Sequence, residues 1–138
     1  MFMHVAVTNR DDATSLVTVQ GSLDLTTAPQ LRTAMHRLLD SGRARIVVDL
    51  TGVDFCDSIG LGTFVYGHNH CTRNGGFLRL AGPSPFLARL LTTVGLTGPI
   101  PVYPTVAAAL SGAPAPTQRV TDPALSRPTN TQCDTSPA

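Results

Sequence analysis

The chain opens on two short apolar stretches and then changes to a repeat of three and four. Residues 3–9, MHVAVTN, and 15–20, SLVTVQ, are rich in β-branched residues and predict two strands. The polar RDDAT between them is a short turn, so the pair reads as a hairpin. Ala28, Leu31, Met35 and Leu38 then fall at helical spacing and predict a helix over 27–41. Thr26 or Thr27 can cap it, Pro29 suits its first turn, and Gly42 can end it. ARIVVDL, 44–50, is almost continuously apolar, which is the pattern of a strand buried on both faces. With the helix before it, it makes a βαβ unit, so it is expected to run parallel to the second strand.

TGVDFCD, 51–57, reads as a loop. From Ser58 the helical period returns, with Leu61, Phe64, Val65 and His68 on one face and Gly75-Gly76 as the stop after Asn74. FLRLAG, 77–82, predicts a strand. PSPFLARLLTTVGL predicts a helix capped by Ser84, with Phe86, Leu87, Leu90 and Leu91 apolar. IPVY and PTVAAALSG predict a short last strand and a short last helix. From Gly112 onward the chain holds five of its eleven prolines with Ser, Thr, Asn and Gln. Such a segment buries too little to offset its ordering entropy and is expected to be disordered. The expected architecture is α/β: one domain over 1–111, a small mixed sheet of four to five strands flanked by about four helices, and a disordered tail over 112–138.

Composition narrows the function. Of 138 residues, 42% are hydrophobic and 14% charged, with Lys+Arg 10 against Asp+Glu 9. So balanced a charge gives no electrostatic case for nucleic acid or an anionic membrane, and aromatics at 5% without Trp give no base-stacking platform. MFMHVAVTNRDD lacks the basic leader and apolar run of a signal peptide, and no stretch approaches the roughly 18 apolar residues of a membrane span. Cys56, Cys71 and Cys133 are odd in number and show no CxxC spacing, which fits reduced thiols in a cytoplasmic protein.

The segment with most chemistry is DFCDSIGLG, 54–62. A helix start leaves N–H groups unpaired and carries partial positive charge, and Asp57 or Ser58 can accept from those donors. Gly60 and Gly62 are poor helix formers, so an adjacent strand or a partner is expected to approach the backbone closely there. The plain reading of Ser58 is a helix cap. A nucleophilic serine would need a base and an oxyanion hole, and the segment is not G-x-S-x-G. A phosphoserine is the third reading: it would add about −1.5 to −2 charges beside Asp57, Asp54 and Asp24. HNHC, 68–71, offers two imidazoles and a thiol, but its spacing fits no zinc pattern. GLG lacks the rest of a dinucleotide fingerprint, and there is no P-loop lysine. No metal and no cofactor are expected.

Taken in order, VTVQGSLDLTTAPQLR, then VVDLTGVDFCDSIGLG, then GG, a strand, and a helix closing on VGL resemble the STAS domain of bacterial anti-sigma factor antagonists over roughly residues 3–110. The resemblance implies a regulatory protein without catalytic residues. The serine of D-S-x-G-L-G, here Ser58, would be phosphorylated by a partner serine kinase that is itself an ATP-binding anti-sigma factor. Unphosphorylated antagonist would bind that kinase and release a sigma factor, and a serine phosphatase would restore it. The implied contact surface is Asp24, Leu25, Thr26, Asp57, Ser58, Ile59, Gly60 and Leu61. Ile59 departs from the pattern, since many members carry a second hydroxyl residue there, and it leaves Ser58 as the motif's one hydroxyl. The alternative within the same resemblance is an unphosphorylated STAS scaffold or a subunit of a membrane-transport complex, with Ser58 only a cap.

Overall fold

The structure, a computed structural model, describes residues 3–10 and 13–112. The expected tail lies, from residue 113, outside the described residues. Five strands and four helices follow in the order β1 (Met3–Asn9), β2 (Thr14–Leu23), α1 (Ala28–Asp40), β3 (Arg45–Cys56), α2 (Ser58–Arg73), β4 (Phe77–Ala81), α3 (Pro85–Thr93), β5 (Val102–Tyr103) and α4 (Val106–Ser111). The strands form one sheet in sequence order. β1 pairs antiparallel with β2 as the hairpin requires, and β2, β3, β4 and β5 run parallel.

The helices divide unequally between the two faces. Leu31, Met35 and Leu38 of α1, Leu61, Phe64 and Cys71 of α2, and Leu87 and Leu91 of α3 pack on Val17, Val19, Ile46, Val48, Leu50, Leu78 and Leu80 of the sheet. On the other face Ala109 of α4 covers Val47, Ala81 and Tyr103. The central strand β3 is therefore buried on both sides over Ile46–Val48, which its apolar run anticipated.

Two expectations need correction, and both concern where side chains point. Residues 51–56 are not a loop, because β3 continues to Cys56 against an equally extended β2. The two-residue alternation fails there because the register slips twice, between Thr18/Gln20 and between Gly21/Ser22. Each slip adds a residue to β3, so its core-facing positions run Leu50, Val53, Cys56. Val65, expected on one face with Leu61 and Phe64, lies exposed, and so does Phe86 among the apolar residues of α3. In α2 the expected Leu61 and Phe64 are buried, together with Gly60, Thr63, Gly67 and Cys71. Gly67 lets α1 close in, since a Cβ there would sit 2.7 Å from Met35 Sδ.

Candidate functional site

β2 and β3 end together at the carboxyl end of the sheet, beyond the last residue of β4, which pairs with Asp49, and the loops that leave β2 and β3 meet there. This is the end where α/β sheets carry their sites. The second slip keeps β2 and β3 paired to their ends: Leu23 lies beside Cys56, and Leu23 O accepts from Asp57 N at 3.2 Å. That pairing sets the 24–27 turn against the start of α2.

The first turn is held by Asp24. Its Oδ1 accepts from the backbone N of Thr26 at 3.0 Å and of Thr27 at 3.2 Å. Thr27 Oγ1 donates to Ser22 O at 2.7 Å and accepts from Asp24 N at 2.9 Å. Thr27 therefore does not cap α1 with its side chain, as the spacing suggested; it ties the turn back to β2. Leu25, at the tip, is 69% exposed. Beside this turn Ser22 donates to Asp54 Oδ1 at 3.1 Å, which fixes the bulged stretch of β3.

Asp57, not Ser58, caps α2. Its backbone is extended and its Oδ1 accepts from Gly60 N at 2.9 Å. Ser58 opens the helix on an exposed face, and its hydroxyl has no hydrogen-bond partner among the described residues. Ile59 beside it is 44% exposed. Gly60 and Leu61 turn the other way and are buried. A Cβ on Gly60 would come within 2.5 Å of Leu23 O and 3.0 Å of Cys56 Sγ. The close approach at Gly60 is therefore made by the protein's own strand. Gly62 has open space around it. Of the eight residues expected to form a contact surface, Asp24, Leu25, Thr26, Asp57, Ser58 and Ile59 come together at the surface; Gly60 and Leu61 support them from within.

Two further residues of the DFCDSIGLG segment, not among the eight expected contact residues, also lie at this end. Asp54 receives the Ser22 hydroxyl, and Phe55 is turned to solvent by the second slip of β3. The signal for Phe55 was an aromatic next to a small buried Cys56, but alternation alone would have placed Phe55 inside. Burial, then the neighbouring Asp57 carboxylate, pushes the Cys56 thiol up from 9.0 to about 12. Burial pushes Cys71 up to about 11. Both are neutral, unreactive thiols at physiological pH. Within HNHC, His70 Nδ1 lies 2.9 Å from Tyr66 O while Cys71 is in the core, so the stretch is divided between two faces of α2. Among the described residues no helix is long and apolar enough to cross a membrane.

The chain matches the STAS domain family over residues 4–109. It is 36% identical over 80 residues to the anti-sigma-B factor antagonist of Bacillus subtilis, a span that covers 58% of this chain and 72% of that one. The fold superposes on an anti-sigma factor antagonist from Mycobacterium paratuberculosis with a TM-score of 0.74 at 28% identity, covering 80% of this chain and 93% of that one. It also superposes on the Bacillus cell fate determinant SpoIIAA, solved in its phosphorylated form, with a TM-score of 0.64 at 20% identity, covering 79% and 98%.

Proposed function

The chain belongs to the STAS domain family, and on that premise we propose that it is an anti-sigma factor antagonist, switched by phosphorylation of Ser58. In its unphosphorylated form it binds an anti-sigma factor that is also an ATP-dependent serine kinase, and so releases a sigma factor. The observation that carries this reading is the state of Ser58: an exposed hydroxyl, bonded to nothing among the described residues, at the start of a helix whose cap is supplied by another residue. A serine needed as the cap would lose a structural bond on modification; this one does not.

The chain is the substrate in the transfer, not the catalyst. Ser58 Oγ attacks the γ-phosphorus of ATP, the bond to the β–γ bridging oxygen breaks, ADP leaves, and the hydroxyl proton passes to a base on the kinase. The product carries about −1.5 to −2 extra charges at an edge that already holds Asp24, Asp54 and Asp57. Those carboxylates cannot neutralise it, so the phosphate stays a surface charge. A partner surface fitted to a neutral hydroxyl would then face an unpaired dianion, which weakens such complexes by several kcal/mol. A phosphatase reverses the step by bringing water to the same phosphorus.

The test is incubation of the purified chain with ATP and each ATP-binding anti-sigma factor of its source genome, read by intact mass and site mapping. One of them should add a single phosphoryl group at Ser58, and the Ser58→Ala variant should gain none while still binding. Modification of Ser58→Ala to the same extent would end this assignment.

A further inference from the structure

The two edges of the sheet are unlike. β5, at one edge, is two residues long and leaves little backbone to pair. β1, at the other, runs over Met3–Asn9, and its register with β2 is unbroken from Met3↔Gly21 to Asn9↔Ser15. Proteins that stay monomeric blunt such an edge with a charge, a proline, a bulge or a short strand. β1 has none of these: MHVAVTN holds no Asp, Glu, Lys, Arg or Pro, and no register shift interrupts it.

The helix layer does not close over this edge either. Among the described residues α1 bonds the β1 backbone at its far end, where Gln30 Nε2 donates to Met3 O at 3.3 Å. Val7, opposite the fully buried Val17, is itself 42% exposed. Val5 and Val7 floor an open groove whose wall is Thr33, Ala34, Arg37 and Ser41 of α1. Three of those four wall residues are small, so a second helix can come close.

The sequence of the strand selects the occupant. About Ala6 it has the same character in both directions: Val5 and Val7 flank it, then the polar His4 and Thr8. Antiparallel pairing of two copies about Ala6 sets Val5 against Val7 of the second copy on the α1 face, and His4 against Thr8 on the other. Such a pair is isologous and closes on itself. A charged peptide would find no counter-charge on β1, whereas two neutral strands meet without repulsion.

We infer that β1 is a self-association edge, through which two copies pair antiparallel about Ala6, join their sheets into one and close their two grooves on each other. The edge measures about 24 Å along the strand and about 20 Å through sheet and helix, so pairing hides roughly 1,000 Å² in all. That is the small end for a specific interface, so the dimer is weak and reversible, with a dissociation constant of about 10–100 µM. Ser58 lies beyond the end of β3 and not on the outer side of β1, so the inference stands apart from the antagonist reading.

The experiment is sedimentation velocity of the full chain from about 1 µM to about 1 mM, at low and high salt, for wild type, Val7→Lys, Ala34→Arg and Val65→Lys. Val65 is the control: it is 39% exposed, but on α2. Wild type should pass from monomer to dimer, and no less readily as salt rises, since the groove's charge is Arg37 in both copies. Val7→Lys and Ala34→Arg should each raise the dissociation constant at least about tenfold, and Val65→Lys by less than about twofold. Thermal melts check that the variants fold, and either of the first two decides the matter if the other does not. Mild oxidation in a Cys133→Ser background reads the register. Ala6→Cys should crosslink to its own copy, because facing Cβ atoms lie about 5 Å apart. His4→Cys should not, because its two copies lie about 14 Å apart along the strands. A chain that stays monomeric to about 1 mM overturns the inference, and β1 amides protected from exchange in that monomer assign the edge to residues 113–138 instead. A dimer that survives both Val7→Lys and Ala34→Arg, or is lost in Val65→Lys, or crosslinks through His4→Cys and not through Ala6→Cys, overturns it as well.

Discussion

Asp57 and Ser58 are neighbours at one helix start, yet they respond to mutation in different ways. Asp57→Ala removes the acceptor for Gly60 N and should destabilise the fold by about 1 kcal/mol in denaturant unfolding. Ser58→Ala removes a hydroxyl that bonds nothing described and should change stability by less than about 0.5 kcal/mol, while removing the proposed phosphorylation site. The two thiols make a second prediction at this scale. Their folded values lie above the 9.0 of a free thiol, at about 12 for Cys56 and about 11 for Cys71. Between those values the folded chain holds protons that the unfolded chain has lost. The thiol contribution is thus fully present below pH 9.0 and is lost as pH rises through about 11 to about 12. Unfolding free energies across that range should fall more steeply for wild type than for a Cys56→Ala/Cys71→Ala variant. Parallel loss in both would contradict the burial argument.

At the scale of elements, the same residue type plays opposite parts in one helix. Gly60 faces a backbone carbonyl, Leu23 O, that cannot move without breaking the β2–β3 pairing. Gly60→Ala should therefore cost about 1–3 kcal/mol through overpacking. Gly67 faces the flexible end of Met35, and alanine's better helix propensity, about 1 kcal/mol, offsets the crowding. Gly67→Ala should stay within about 1 kcal/mol of wild type, and equal losses at the two sites would sink this account of the helix. The elements themselves were legible wherever one period held throughout. The helix expected over 27–41 is Ala28–Asp40, and the expected cap Ser84 accepts from Leu87 N. Legibility failed at 51–56, where two register slips replace the strand period with steps of three that look like loop. It failed again at Val65, and gave no answer at Phe86, because apolar character cannot say which apolar residues a helix shows to solvent.

The whole molecule separates its duties by position. The helix-covered face holds the main core, and the carboxyl end of the sheet holds the exposed Leu25, Phe55 and Ile59 with Asp24, Asp54 and Asp57. The order GSLD, DLTG, DSIGLG and GG carried both the family and the central serine, because those residues serve turns, a bulged strand and a helix start that the fold must place together. What the order could not convey was depth: Gly60 and Leu61 sit inside, while Phe55 and Phe86 stand outside, and only the packing of β2 against α2 and the course of α3 decide this. A phosphate at Ser58 adds charge to an edge whose own bonds do not involve that hydroxyl. The melting temperature of phosphorylated chain should therefore lie within a few degrees of the unphosphorylated form, while partner binding is lost. A large drop in melting temperature on phosphorylation would mean that the switch works by unfolding the site.

The most direct measurement is the affinity of one anti-sigma factor kinase for the chain before and after quantitative phosphorylation, with the modified residue mapped. The expected result is a single phosphoryl group on Ser58, tight binding before modification, and a loss of at least about a hundredfold after it, in line with several kcal/mol for an unpaired buried charge. Equal affinity of the two forms, or a phosphoryl group found on any other residue, would contradict it.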